Sequence, residues 1–213
     1  MFERHAKDGG TSKAGLSNLS RRSFLRGSGL VAAGSALVDP ARLAGGARAA
    51  AAPAVLGPGA VPVALNVNGN AHRLHLEPRM TLAEVLRGPL NLHGTKIACN
   101  RGACSACTVW LDGAPVCACM TLAIDVGARA VTTIEGLATG DTLHPVQAAF
   151  IEHDAMQCGF CTPGLVMSAA ALIARQPDPS LDDVKTAVSG HLCRCASYPK
   201  VFAATLAAAK RRG

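Results

Sequence analysis

Nine cysteines stand out in this 213-residue sequence, eight of them in two groups of four. The first group is Cys99-x4-Cys104-x2-Cys107, followed by Cys119 after eleven intervening residues. This is the plant-type spacing for a [2Fe–2S] cluster. One irregular loop wraps three thiolates round two irons, and a neighbouring strand supplies the fourth. Four deprotonated sulfurs must converge, and the loop must come near enough to offer backbone N–H groups to sulfur. Gly94 and Gly102, which lack Cβ, suit that approach. The second group is Cys158-x2-Cys161 and, after thirty-one intervening residues, Cys193-x-Cys195. Both pairs fall at the ends of predicted helices, so helix packing can bring the four sulfurs together. Cys161-Thr162-Pro163 opens a helix whose N-terminal amides favour negative sulfur.

Disulfides are the usual use of cysteine in an exported protein, but nine is odd and Cys193 and Cys195 are badly placed to pair with each other. Zinc is the stronger rival for the second group. Beside a plant-type loop in the same chain, two iron–sulfur clusters are the better reading. No Ser/His/Asp or paired-carboxylate constellation accompanies the cysteines, so the chain is read as having no catalytic residue of its own. His72, His75, His93, His144, His153 and His191 read as core-edge or capping residues. Arg194, between two cysteines, suits either tuning of a cluster by charge or an interface ion pair.

The elements that must position these sulfurs fall into two modules. Val61–Val67, a turn at Asn68-Gly69, and Ala71–Leu76 with His72, Leu74 and Leu76 on one face predict a hairpin. Thr81-Leu82-Ala83-Glu84 is a capping box opening a helix that ends at Gly88-Pro89. Thr108–Leu111, Asp112-Gly113 and Val116–Met120 predict a second hairpin, and Ala130–Ile134 a further strand. Cys117 and Cys119 would then point to one face of a strand. Together, residues 61–137 read as a small α+β domain. From 141 the period becomes helical, with Pro145–Gln157, Pro163–Arg175, Leu181–Ser189 and Tyr198–Arg211 forming a four-helix bundle over 141–213.

Residues 1–49 carry eight Lys/Arg against three Asp/Glu, which accounts for most of the formal charge of +7. The remainder has no basic stripe, so nucleic acid is not an expected partner. The chain is 49% hydrophobic, too much for a wholly disordered protein. No uncharged apolar run reaches the ~18 residues of a permanent membrane span. Ser20-Arg21-Arg22-Ser23-Phe24-Leu25-Arg26 precedes the uncharged stretch 27–38, and small-residue cleavage sites follow near Ala47–Ala52. That order is an export signal, and its pattern resembles the twin-arginine signal, which implies export of a folded, cofactor-loaded protein to the periplasm. Residues 50–60, rich in Ala, Gly and Pro, read as a flexible lead-in.

Gly94-Thr95-Lys96-Ile97-Ala98-Cys99, Cys104-Ser105-Ala106-Cys107-Thr108-Val109, Gln157-Cys158-Gly159-Phe160-Cys161-Thr162-Pro163-Gly164 and Leu192-Cys193-Arg194-Cys195 carry a family resemblance. The chain resembles the small iron–sulfur subunit of the xanthine oxidase family of molybdenum hydroxylases, and with its export signal is most like that of a periplasmic aldehyde oxidoreductase. The resemblance implies an N-terminal β-grasp, plant-type ferredoxin-like domain and a C-terminal four-helix-bundle [2Fe–2S]-binding domain. It implies two [2Fe–2S] clusters, on Cys99, Cys104, Cys107 and Cys119 and on Cys158, Cys161, Cys193 and Cys195. Family spacing selects Cys119 over Cys117, and Gln157 corresponds to the residue that contacts the pterin. Electrons would pass from molybdopterin, in its cytosine dinucleotide form in a large subunit, through the two clusters to FAD in a medium subunit or to another acceptor, during oxidation of aldehydes to carboxylic acids. A stand-alone exported ferredoxin and a subunit of an N-heterocycle hydroxylase are the alternative readings. Ala98 and Ser105 stand where the family has Gly, and Ala196-Ser197 where it has Thr-Gly. A side chain at 98 or 105 would strain the loop where φ is positive, and Ser105 could donate to sulfur.

Overall fold

The computed structural model describes residues 55–211; the export signal and the first five residues of the lead-in, 50–54, lie outside them. Strand β1 (Val61–Val67) pairs antiparallel with β2 (Asn70–Leu76) through the two-residue turn at Asn68 and Gly69. Both turn residues have positive φ, +51° and +80°, the geometry that matches the twist of a tight hairpin. As expected, His72, Leu74 and Leu76 lie on the inner face. Helix α1 (Leu82–Arg87) begins at the predicted capping box, with the Glu84 amide donating to Thr81 Oγ1 (3.3 Å) and the Thr81 amide to Glu84 Oε2 (2.8 Å).

Strands β3 (Thr108–Leu111) and β4 (Ala114–Cys117) form the second hairpin, turning at Asp112 and Gly113. Strand β5 (Ala130–Thr132) completes a sheet of order β2-β1-β5-β3-β4, in which β5 runs parallel to β1 and antiparallel to β3. The end of β4 differs from expectation. The strand does not continue to Met120 but stops at Cys117, and Ala118–Met120 is a turn of 3₁₀ helix. Here the Ala118 amide still reaches the Cys107 carbonyl (3.2 Å), while the Leu82 amide takes the Thr121 carbonyl (2.7 Å). The chain is thereby pulled from the sheet edge towards α1, and Cys117 and Cys119 do not share a strand face. Pro115 is tolerated because β4 is an edge strand.

The helical half comprises α2 (Pro145–Glu152), α3 (Thr162–Arg175), α4 (Leu181–Val188) and α5 (Tyr198–Lys210). Helix α2 ends five residues before the predicted Gln157. Asp154 adopts φ +49°, and the Ala155 amide donates back to the Phe150 carbonyl at 2.8 Å, a left-handed termination that closes the helix. Residues 153–161 are therefore an irregular loop.

Two hydrophobic clusters result. Leu65, Val67, Leu82, Leu86, Val109, Leu111 and Val131 form the first, and Val146, Phe150, Leu165, Ile173, Val188 and Val201 the second. Strand β3 serves both. Val109 and Leu111 face the first cluster, whereas Trp110, on the opposite face, packs against the second and donates Nε1–H to the Met167 carbonyl of α3 at 2.9 Å.

Candidate iron–sulfur sites

The first cysteine loop is anchored before it reaches its sulfurs. Arg87, in the last turn of α1, donates to the carbonyls of His93 (2.9 Å) and Thr95 (3.0 Å). The Gly94 amide donates to Glu135 Oε1 at 2.7 Å. A Cβ on Gly94 would fall 2.3 Å from Ile134 Cγ2, so this glycine seats the loop against residues 134–135 rather than bringing backbone to sulfur. Gly102 does the latter. With φ +72°, its amide points at Cys119 Sγ (3.3 Å), while the amides of Ala103 and Arg101 point at Cys99 Sγ (3.3 and 3.5 Å).

These amides lie where negative sulfur would gain most. The Arg101 amide first, then the neighbouring Cys104 thiol, lowers the Cys99 thiol to about 7 despite some burial. Cys107 faces Cys119 and is pushed up to about 12, chiefly by burial. A buried thiol of that kind gives up its proton when a cation takes the proton's place. Cys99 thus lies against Cys104, Cys107 against Cys119, and the Gly102 amide ties Cys119 to the loop. Amide donors at two sulfurs and burial of the other thiols fit a [2Fe–2S] cluster.

Cys117 lies at the edge of this group, near enough for its charge to add to the rise at Cys107. It is half-buried, with its sulfur 3.9 Å from Ser105 Oγ, on the wall of a cavity of about 210 Å³ that His191 and Ser168 also line. The Ser105 hydroxyl therefore faces the ninth thiol and not a predicted ligand. Ser105 has φ +54°, so strain is carried there, whereas Ala98 is not in the left-handed region.

In the second group Cys161 is buried at the N-terminus of α3, and Cys158 is exposed on the loop before it. Cys193 and Cys195 are half-buried between α4 and α5. Only Cys161 sits at a helix end as predicted; the others are on loops. Cys161 is pushed up to about 12 by burial and by the facing Cys193 thiol, and it feels the charge of Cys158. For Cys193 burial acts upward but is outweighed by the Ser197 hydroxyl and amide and by the Cys161 thiol, which lower it to about 7. Among the described residues no three such side chains close tightly enough on a point to hold a single ion. The paired sulfurs and the helix N-terminus fit a binuclear cluster. Gln157 is exposed and donates Nε2–H to the Cys195 carbonyl at 3.2 Å. Arg194 is exposed between the two cysteines.

Some residues at this site escaped the sequence reading. Tyr198, predicted merely to begin a helix, donates its hydroxyl to the His191 carbonyl and accepts from the Cys193 amide, both at 2.8 Å. Ser197, buried, places Oγ 3.3 Å from Cys193 Sγ. The Leu192 amide donates to the Cys104 carbonyl at 3.2 Å, joining the two cysteine groups by one hydrogen bond. Of the histidines, His144 caps α2 with Nδ1 accepting from Val146 (3.3 Å), and buried His191 bonds through Nε2 to Ser168 Oγ (2.7 Å).

Comparison with known proteins agrees with this geometry. Residues 133–206 match the [2Fe-2S] binding domain, and residues 18–38 match the twin-arginine translocation pathway signal sequence. The aldehyde oxidoreductase iron-sulfur-binding subunit PaoA of Escherichia coli K12 is 39% identical over 202 residues, covering 88% of this chain and 86% of its own. The nicotine 6-hydroxylase small subunit of Paenarthrobacter nicotinovorans is 43% identical, covering 68% and 88% respectively. Among solved structures, quinoline 2-oxidoreductase of Pseudomonas putida 86 matches with a TM-score of 0.69 at 41% identity, over 72% of this chain and 98% of the matched chain. The chain belongs to the small [2Fe–2S] iron–sulfur subunits of the xanthine oxidase family of molybdenum hydroxylases. It is a subunit of an oxidoreductase complex, and its twin-arginine signal directs export to the periplasm. Among the described residues no helix is long and apolar enough to cross a membrane.

Proposed function

We propose that this chain relays electrons, through two [2Fe–2S] clusters, from the molybdopterin centre of a large partner subunit to FAD in a medium subunit, during oxidation of aldehydes to carboxylic acids. The observation that carries the reading is the Leu192-to-Cys104 hydrogen bond, 3.2 Å long. It links a residue next to Cys193 with Cys104 itself, so both cysteine groups lie within one short bonded route. When bound, each cluster supplies a one-electron carrier. The chain's residues do the rest. Cys99, Cys104, Cys107 and Cys119 hold one cluster, with the amides of Arg101, Gly102 and Ala103 turned to sulfur. Cys158, Cys161, Cys193 and Cys195 hold the other.

The finer architecture is part of this proposal: a β-grasp, ferredoxin-like domain over 61–137 and a four-helix [2Fe–2S]-binding domain over 141–213. Gln157, held beside Cys195, is assigned to the pterin side. Exposed Leu143, Ile151, Met156 and Phe160 surround the Cys158 loop, and an apolar groove of about 360 Å³ runs beside it past Pro163 and Val166. Apolar exposure of that kind favours a permanent partner over a stand-alone carrier. The aldehyde assignment rests on the likeness to the Escherichia coli subunit together with the export signal, and the nicotine-hydroxylating relative keeps N-heterocycles as the second substrate class. The test is iron and acid-labile sulfide per chain, with EPR of the dithionite-reduced protein. About four irons and two rhombic signals are expected for two binuclear clusters. Two irons with one zinc would overturn the relay.

A further inference from the structure

We propose that the Ser197 hydroxyl donates a hydrogen bond to Cys193 Sγ and thereby raises the reduction potential of the cluster held by Cys158, Cys161, Cys193 and Cys195. The inference rests on the two-cluster reading above and assigns Ser197 as a positioning residue that acts through a ligand. Oγ and Sγ are 3.3 Å apart, within hydrogen-bonding reach of a sulfur acceptor. An iron-bound sulfur carries no proton, so the hydroxyl is the donor in the loaded protein.

Ser197 occupies the N-cap position of α5, where a serine hydroxyl ordinarily accepts from the helix's first amides. Here it makes no such bond. The Ser197 carbonyl accepts from the amides of Lys200 and Val201, both at 3.1 Å, which leaves the hydroxyl to the sulfur. Only 4% of Ser197 is exposed, so water does not compete for the hydroxyl, and a hydrogen bond there acts in a low dielectric. The loop is pinned where it enters the ligand, because Tyr198 Oη bonds the Cys193 amide and the His191 carbonyl. A one-electron reduction adds negative charge that is shared by the ligand sulfurs. A donor fixed on one of them is then stronger in the reduced state than in the oxidised state, and the potential rises. The other serine beside a sulfur, Ser105, faces Cys117 at 3.9 Å and has no such effect on the first cluster.

The experiment is a redox titration of the purified, iron-loaded complex, followed by EPR, for the wild type, Ser197→Ala and Ser197→Thr. Ser197→Ala is expected to make the reduction equilibrium of one cluster about tenfold less favourable, a shift of ~59 mV to lower potential for one electron. The second signal stays in place, and Ser197→Thr, which keeps the hydroxyl, retains the wild-type midpoint. Two wild-type signals with neither midpoint moved by Ser197→Ala would defeat this inference and leave the relay standing. Equal movement of both midpoints, or loss of iron from both variants, would mark Ser197 as a packing residue and overturn it as well. A wild-type protein with a single EPR signal would remove the two-cluster reading itself, and this inference with it.

Discussion

Cys117 and Cys119 are two residues apart, and the end of β4 separates them. Cys117 closes the strand beside Ser105, while Cys119 sits in the 3₁₀ turn with the Gly102 amide on its sulfur. The expected consequence is selective: Cys117→Ser retains the iron of both clusters, and Cys119→Ser loses that of one. Iron analysis of the two variants checks this, and the reverse pattern would move the ligand to Cys117. Family spacing picks Cys119, but the structural break that parts the two thiols was not legible in it. An even strand would have turned both thiols the same way, and the break depends on Leu82 capturing the Thr121 carbonyl from a distant part of the chain. Gly94 shows the same limit. Its need to be glycine comes from Ile134 and Glu135, some forty residues later.

At the scale of elements, α1, α3, α4 and α5 lie close to where capping residues, Pro163 and apolar period put them, because those are local interactions. Helix α2 stops early because Asp154 turns left-handed, which no local pattern announced. The connection between α4 and α5 carries His191, whose ring is bonded to Ser168 of α3. Burial lowers its pKa from 6.5 to about 4. The folded chain therefore holds His191 neutral, while the unfolded chain takes up a proton as pH falls through 6.5. Stability contributed by this group is complete above pH 6.5 and declines between pH 6.5 and about 4, by on the order of 2–3 kcal/mol. His191→Gln, which keeps a polar partner for Ser168 without a titrating ring, is expected to show a shallower fall of Tm across that window. An equal slope in both proteins would assign the acid sensitivity elsewhere.

Across the whole molecule, the two hydrophobic clusters meet at β3 and at the first turn of α3. Trp110 crosses from the sheet to Met167, and Gly164 lies so close to the first cysteine loop that a Cβ there would be 2.5 Å from the Ser105 carbonyl. That backbone cannot yield cheaply, since Ser105 is already at positive φ. Gly164→Ala is expected to cost about 1–3 kcal/mol by overpacking, lowering Tm by roughly 2–4 °C per kcal/mol. Both clusters should remain, with the magnetic interaction between them weakened as the α3 terminus moves away from the loop. Thermal denaturation and the splitting of the reduced EPR signals test this; an unchanged Tm would mean the contact is slack.

The sequence by itself determined the cysteine sets, the export signal, the hairpin turns and most helix starts, since each depends on residue type and short spacing. Only the tertiary structure decided which sulfurs face which. Cys161 meets Cys193 across thirty-one residues, and the Leu192 amide finds the Cys104 carbonyl across a gap nearly three times as long. It also decided that Ser197 serves a sulfur instead of a helix cap. Such contacts arise from how packed elements close on one another, and a linear pattern carries no term for the distance between residues that are remote along the chain.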